Sequence, residues 1–203
     1  MRRSIIGYFL ISSLSFVCLA EQPEMSPEES VRKATMILLK EAKAKKYLLE
    51  KDPVEFHLAV TKVLQPHVDF QGFAKGVMAK YYRLATASQR LAFVEKFKGA
   101  LAVSYSKALL ELDSDSISIK SSESGKRTDR AIVHVELETN SGKVYPVQYS
   151  LISLDSRWLL RNLVINGINL GLQYRSQFNS SFRSNKGDID RVIEQWEFEP
   201  PND

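Results

Sequence analysis

Little in this sequence supports bond-making chemistry. A single cysteine, Cys18, in 203 residues excludes an internal disulfide framework and any cysteine-rich zinc site. The three histidines, His57, His67 and His134, are not at His-x-x-x-His spacing, so no metal site is expected. There is no phosphate-cradling glycine loop, no Gly-x-Ser-x-Gly elbow, no Cys-x-x-Cys and no His-Glu-x-x-His. Asp113-Ser114-Asp115 starts like a calcium loop but lacks the glycine and closing glutamate, and reads as an acidic turn between helix and strand. His134 alternates with Val133 and Val135 and reads as a partly exposed strand residue. The serines sit in turns and caps, where local hydrogen bonding explains them. No nucleophile is assembled with a base, so no catalytic residues are assigned.

The apolar stretch Ile5 to Val17 is short of the about 20 residues that cross a bilayer. It follows the positive Met1-Arg2-Arg3 and closes on Cys18-Leu19-Ala20, with small residues at −3 and −1 of a cut before Glu21. This predicts a Sec-type signal peptide over 1–20, cleaved after Ala20, and a periplasmic protein. An uncleaved anchor and a lipoprotein acylated at Cys18 are the other readings; for the second, Val17 is not the small residue expected before such a cysteine. Removing residues 1–20 leaves 183 residues without cysteine and takes the charge from +4 to +2. That small excess gives no reason to expect a nucleic-acid partner.

What is present is periodic apolar sequence. Ser26-Pro27-Glu28-Glu29 combines an N-cap, a proline at the first helical position and a capping box, and opens a stripe of Val31, Ala34, Leu38 and Ala42. Asp52-Pro53 opens a second helix, with Phe56, Val60, Val63 and Leu64 inward. Asp69 caps a third, carrying Phe70, Phe73, Val77 and Tyr81. Thr86 with Gln89 opens a long fourth, with Phe93, Val94, Phe97, Leu101, Tyr105 and Ala108. The period then falls to two over 116–120, 130–138, 143–154 and 157–165, separated by short turn sequences, which predicts an antiparallel sheet. Pro146 is expected at an edge or bulge. Two helices close the chain after Asn166-Gly167, and residues 199–203 read as frayed. Four helices, four strands and two helices, with no internal linker, predict one α+β domain over 21–198, its helices gathered on one face of a twisted four-stranded antiparallel sheet. Such a half-open sheet often encloses an apolar cavity, and 10 Phe, 8 Tyr and 2 Trp, mostly on inward stripes, could help to build one.

Two blocks carry a resemblance. One runs from Val68-Asp69-Phe70 through Lys80-Tyr81-Tyr82-Arg83 to Thr86, Gln89, Phe93, Phe97 and Tyr105. The other is Trp158 to Asn162, then Gly167-Ile168-Asn169-Leu170, Tyr174-Arg175 and Phe178. Together they resemble the MlaC family, the toluene-tolerance auxiliary component. Ala79 stands where that family usually has glycine, Tyr82 where tryptophan is common, Asn162 where aspartate is usual and Asn169 where serine is. The resemblance implies a periplasmic phospholipid carrier with a lipid-filled cavity and no cofactor. It implies two partners, an inner-membrane ABC transporter complex and an outer-membrane lipoprotein–porin complex, and a role in outer-membrane lipid asymmetry. Periodicity and resemblance together nominate Phe70, Phe73, Val77, Tyr81, Phe97, Leu101, Tyr105, Val133, Val135, Val147, Tyr149 and Ile168 as lipid-binding residues. The chain is expected to be a monomer, with the Lys40–Lys46 run as its electrostatic docking surface. The alternatives are an isomerase or hydratase pairing Asp69 with a cavity tyrosine, and a chaperone for lipoproteins.

Overall fold

The computed structural model describes residues 25–124 and 127–197. The expected signal peptide, its cleavage site and the expected frayed end at 199–203 lie outside the described residues. Helices α1 (Pro27–Ala44), α2 (Leu48–Lys51), α3 (Pro53–Leu64), α4 (Phe70–Met78) and α5 (Ala87–Glu111) lead into strands β1 (Leu112–Ser124), β2 (Arg130–Thr139), β3 (Val144–Leu154), β4 (Arg157–Ile165) and β5 (Ile168–Asn169). Helices α6 (Leu170–Ser184) and α7 (Ile189–Glu194) follow, and a 3-10 turn, Ala79–Arg83, joins α4 to the approach of α5.

The helix starts follow their caps. Ser26 with Glu29, and Thr86 with Gln89, each form both halves of a capping box. Asp52, Asp69, Asn169 and Asp188 cap α3, α4, α6 and α7 through their side chains. The third helix is shorter than its apolar spacing predicts. It stops at Met78, because Ala79 turns the chain with φ 49° and ψ −119°, and Tyr81 belongs to the 3-10 turn.

The sheet is an antiparallel meander in the order β1-β2-β3-β4-β5. It has one strand more than the four expected, the extra one being the two-residue β5 that pairs back on Val164 and Ile165. Asp155-Ser156 and Asn166-Gly167 are the tight turns, each with both residues at positive φ, as two-residue hairpins require. The segment at Asp113 is no turn: α5 passes directly into β1, whose pairing with β2 is irregular between Leu112 and Ile117. Pro146 lies in an interior strand rather than at a sheet edge. Its carbonyl accepts from Asn166 N–H at 2.9 Å, so its nitrogen faces the β4–β5 turn, where no ladder donor is missing.

All the helices contacting the sheet do so on one side: α1 on β1 and β2, α4 and α6 on β4, and the end of α5 on β1. His134 and Glu136 face away from them; His134 Nε2 stands 3.7 Å from the Glu123 carboxylate, and Lys120 pairs with Glu136 at 2.7 Å. His134 is thus the partly exposed strand residue its alternation predicts. The helical core is an aromatic cluster of Phe73, Phe93, Phe97, Tyr174, Phe178 and Trp196, with neighbouring ring centroids 5.0–5.9 Å apart at Phe93–Phe178, Phe93–Phe97 and Phe97–Tyr174.

Candidate functional site

Between α1, α3, α5 and the inner face of the sheet lies a cavity of about 610 Å³, inside the range of about 300–1,000 Å³ usual for ligand sites. Its helical walls are Val31, Ala34, Thr35 and Leu38 of α1, Val60, Val63 and Leu64 of α3, Phe70 and Phe73 of α4, and Leu101, Ser104, Tyr105 and Ala108 of α5. The sheet adds Tyr145, Val147, Tyr149 and Leu151 of β3, and Trp158, Leu160, Leu163 and Ile165 of β4. The wall is hollow for a simple steric reason. Ser30, Ala34, Thr35, Ser104 and Ala108 are small side chains at helix positions facing the sheet, and nothing crosses the gap they leave.

An irregularity in β4 shapes this wall. Ser150 pairs with Asn162 and Leu151 with Leu160, so Arg161 is an extra residue in the strand. Through this bulge Leu160 and Leu163 both face the cavity, which strict alternation forbids. The bulge also aims Arg161 at Asp69, whose Oδ2 accepts from Arg161 Nε at 2.8 Å and from the second guanidinium nitrogen. Asp69 Oδ1 in turn accepts from Gly72 N–H at 2.8 Å, capping α4, and the ion pair lies where a Gly72 side chain would project. Backbone bonds Asp69 N–H to Leu160 O and Leu160 N–H to His67 O, each 2.9 Å, hold this junction against β4. Nearby, Asn162 Oδ1 accepts from Gly171 N–H and its Nδ2 donates to Asn169 Oδ1, which caps α6. The two asparagines are therefore a hydrogen-bonded pair at the start of α6.

The cavity is electrically quiet. Burial pushes the hydroxyls of Tyr105 and Tyr149 above the ordinary tyrosine range, so both are neutral; Tyr149 also lies 3.3 Å from Thr35 Oγ1. Burial, with the Lys33 cation nearby, holds His67 below its ordinary value and hence uncharged at neutral pH. The charged residues of the wall are Lys107 and Glu111, both exposed. Among the described residues no cluster of His, Cys, Asp and Glu could hold a metal ion.

Of the twelve nominated residues, Phe70, Phe73, Leu101, Tyr105, Val147, Tyr149 and Ile168 line the cavity. The other five do not. Val77, Tyr81 and Phe97 are packed in the helical core, where Tyr81 stacks on Phe182 with centroids 4.1 Å apart. Val133 and Val135 are fully buried where α1 lies directly on β2, leaving no space beside them. The walls from α1 and α3 were visible as stripes but not as cavity walls, because packed and hollow faces share one period. Leu160 and Leu163 carried no signal, since a bulge is invisible to alternation.

The sequence model of the MlaC protein family matches residues 32–197. The chain belongs to the MlaC family. It is 35% identical over 199 residues to toluene tolerance protein ttg2D of Pseudomonas putida, covering 97% of this chain and 89% of that one. Its fold is that of a phospholipid-binding protein from Ralstonia solanacearum solved in complex with a phospholipid. That likeness has a TM-score of 0.70 at 20% identity, covering 81% of this chain and 91% of the other. Helices on one face of an antiparallel sheet are thus an architecture this MlaC protein shares with a solved structure. No helix among the described residues is long and apolar enough to cross a membrane.

Proposed function

We propose that this MlaC protein is a periplasmic phospholipid carrier, exported by a signal peptide cut after Ala20. It would take lipid between an inner-membrane ABC transporter complex and an outer-membrane lipoprotein–porin complex, maintaining outer-membrane lipid asymmetry. The observation that carries this reading is the cavity of about 610 Å³ with mostly apolar walls, whose charged residues, Lys107 and Glu111, are exposed. A diacyl lipid leaving a membrane alone exposes about 30 methylenes at about 0.8 kcal/mol each, roughly 24 kcal/mol. A carrier must exchange one apolar environment for another at small net cost, with many non-directional contacts and few polar ones. The walls described above supply such contacts, and the likeness in fold to a protein solved with phospholipid supports the same ligand class.

The enzyme alternative needs a carboxylate facing the cavity beside a tyrosine. Asp69, the candidate, is occupied in capping α4 and pairing with Arg161 and does not line the cavity. That favours a binding protein. Organic extraction and mass spectrometry of protein purified from the periplasm should recover phospholipid, and intact mass should begin at Glu21. Protein that carries no phospholipid and cannot be loaded with any would refute the carrier. Displacement of bound phospholipid by an acylated peptide would instead favour the chaperone.

A further inference from the structure

The charged residues of this chain are unevenly spread. Residues 70–94 contain Lys75, Lys80, Arg83 and Arg90 and no acid, and residues 156–187 contain Arg157, Arg161, Arg175, Arg183 and Lys186 and no acid. The fold brings parts of both segments together. Arg175 of α6 donates to the Gly76 carbonyl at 2.9 Å, and Tyr81 stacks on Phe182. None of Lys75, Lys80, Arg83, Arg90 and Arg175 forms an ion pair with a described residue. Four of the carboxylates that flank these segments are engaged: Asp69 by Arg161, Glu95 by Lys98, Asp188 by Arg191, and Asp190 by Gln89. The Lys40–Lys46 run differs, because Lys43 pairs with Asp113 at 3.8 Å and Lys45 with Glu41 at 3.9 Å. Two of its four lysines are thus answered locally.

At the centre of the unanswered patch is a fixed group. The Tyr82 ring is contacted by two cations, Arg90 at 4.4 Å and Lys75 at 5.5 Å from its centroid, and Arg90 Nε donates to the Tyr82 carbonyl at 2.8 Å. Leu84 and Leu91 follow it in sequence and are 69% and 59% exposed. We infer that this corner, from the end of α4 through the 3-10 turn to the start of α5, docks an acidic protein surface.

A pre-organised arginine–tyrosine set with exposed leucines has the composition of a protein-interface anchor. A bilayer would be attracted by loosely placed cations and gains nothing from such fixity. Position agrees: no residue of 74–100 lines the cavity, so a partner docked here leaves the cavity uncovered. A lipid surface would instead have to meet the cavity for lipid to pass. The inference rests on the carrier reading only in taking the two membrane complexes as the acidic partners.

The test uses the full mature chain, both purified complexes from the same organism, and the triple variant Lys75→Glu, Lys80→Glu, Arg83→Glu. All three residues are exposed, and the ring contacts of Lys75 with Tyr82 at 5.5 Å and of Lys80 with Tyr81 at 5.0 Å lie at the surface; lipid content by mass spectrometry checks that the variant is intact. Wild-type affinity for at least one complex should fall with added salt. The variant should bind that complex at least about tenfold more weakly, as like charges brought together at an interface do, with lipid content unchanged. Reversal of Lys40 and Lys46 should leave affinity within about twofold. Wild-type-like binding by the lipid-bearing triple variant overturns the docking site, as does failure of the wild type to bind either complex. Flotation of the wild type on vesicles containing anionic lipid, lost in the triple variant while complex binding persists, overturns it in favour of a membrane contact. Wild-type protein free of lipid counts against the carrier reading instead, whatever it binds.

Discussion

The long helix α5 belongs to two different interiors. Its first half places Phe93, Val94 and Phe97 in an aromatic core where they are buried on every side. One turn later the same stripe continues as Leu101, Tyr105 and Ala108, which face open space. Side chains of one period and similar polarity thus close one half of the molecule and leave the other half hollow. The difference lies in what stands opposite. Phe97 meets Phe73, Phe93 and Tyr174, whereas Leu101 and Ala108 look across to the sheet over the gap that the small residues of α1 and α5 leave unfilled. Most of the aromatic supply serves the closed half: Phe178, Phe182, Tyr174 and Trp196 pack among themselves and stay away from the cavity. A hollow is made by omission, and side chains that are absent leave no pattern.

The sharpest way to break this comparison is to truncate both halves of the one helix. Phe97→Ala should cost about 3–5 kcal/mol, because it removes ring contacts from a packed interior. Leu101→Ala should cost about 1 kcal/mol or less in lipid-free protein, since its side chain already borders empty space. Urea unfolding of both variants measures the difference. Equal losses would mean that the cavity half is as tightly packed as the core half, and the contrast would be lost.

This contrast also sorts what the sequence made legible. Strands β2, β3 and β4 fall within a residue of their predicted bounds, because period two combined with turn sequences fixes both ends. The capping boxes at Ser26 and Thr86 located their helices for equally local reasons. Local rules failed where the cause is remote. The Asp113–Asp115 segment is polar enough for a turn, but it lies between Leu112 and Ile117, which both pair with β2, and so belongs to β1. The shift at Arg161 answers to Asp69, 92 residues away, and cannot be read from β4 alone. The cavity is the extreme case: seven of twelve nominated residues line it because periodicity finds the inside, and periodicity cannot tell inside from hollow.

A smaller effect comes from Ala79 at the edge of the closed half. Its φ of 49° with ψ −119° belongs to a region that side chains with a Cβ rarely adopt, and the surrounding packing of Met78 and Tyr81 holds it there. Glycine at this place relieves the strain at some entropic cost in the unfolded chain. Ala79→Gly should therefore stabilise the protein by about 1 kcal/mol, an increase in the urea midpoint without a change in slope. Destabilisation would show that the core half does not hold this backbone against its preference.

The smallest effect belongs to the hollow half and is read by pH. His67 borders the cavity, and burial and then the Lys33 cation hold it below the ordinary imidazole value of 6.5. Below that value the unfolded chain takes up a proton that the folded chain resists. Stability contributed by neutral His67 is thus fully present above 6.5, declines as pH falls, and is gone once pH passes the folded value. His57 acts with the same sign, its own value lowered by burial, so it supplies the background against which His67 is measured. Glu28, held down chiefly by a hydrogen bond from Ser122, works in a separate window below 4.5. Unfolding followed from about pH 7.5 to about pH 5.5 should therefore show a decline that His67→Gln makes shallower without abolishing it. Because a cavity wall open to solvent desolvates a side chain less than a packed core does, the change should be well under that of Phe97→Ala. Identical slopes for wild type and His67→Gln would mean that the imidazole is as well hydrated in the cavity wall as in the unfolded chain.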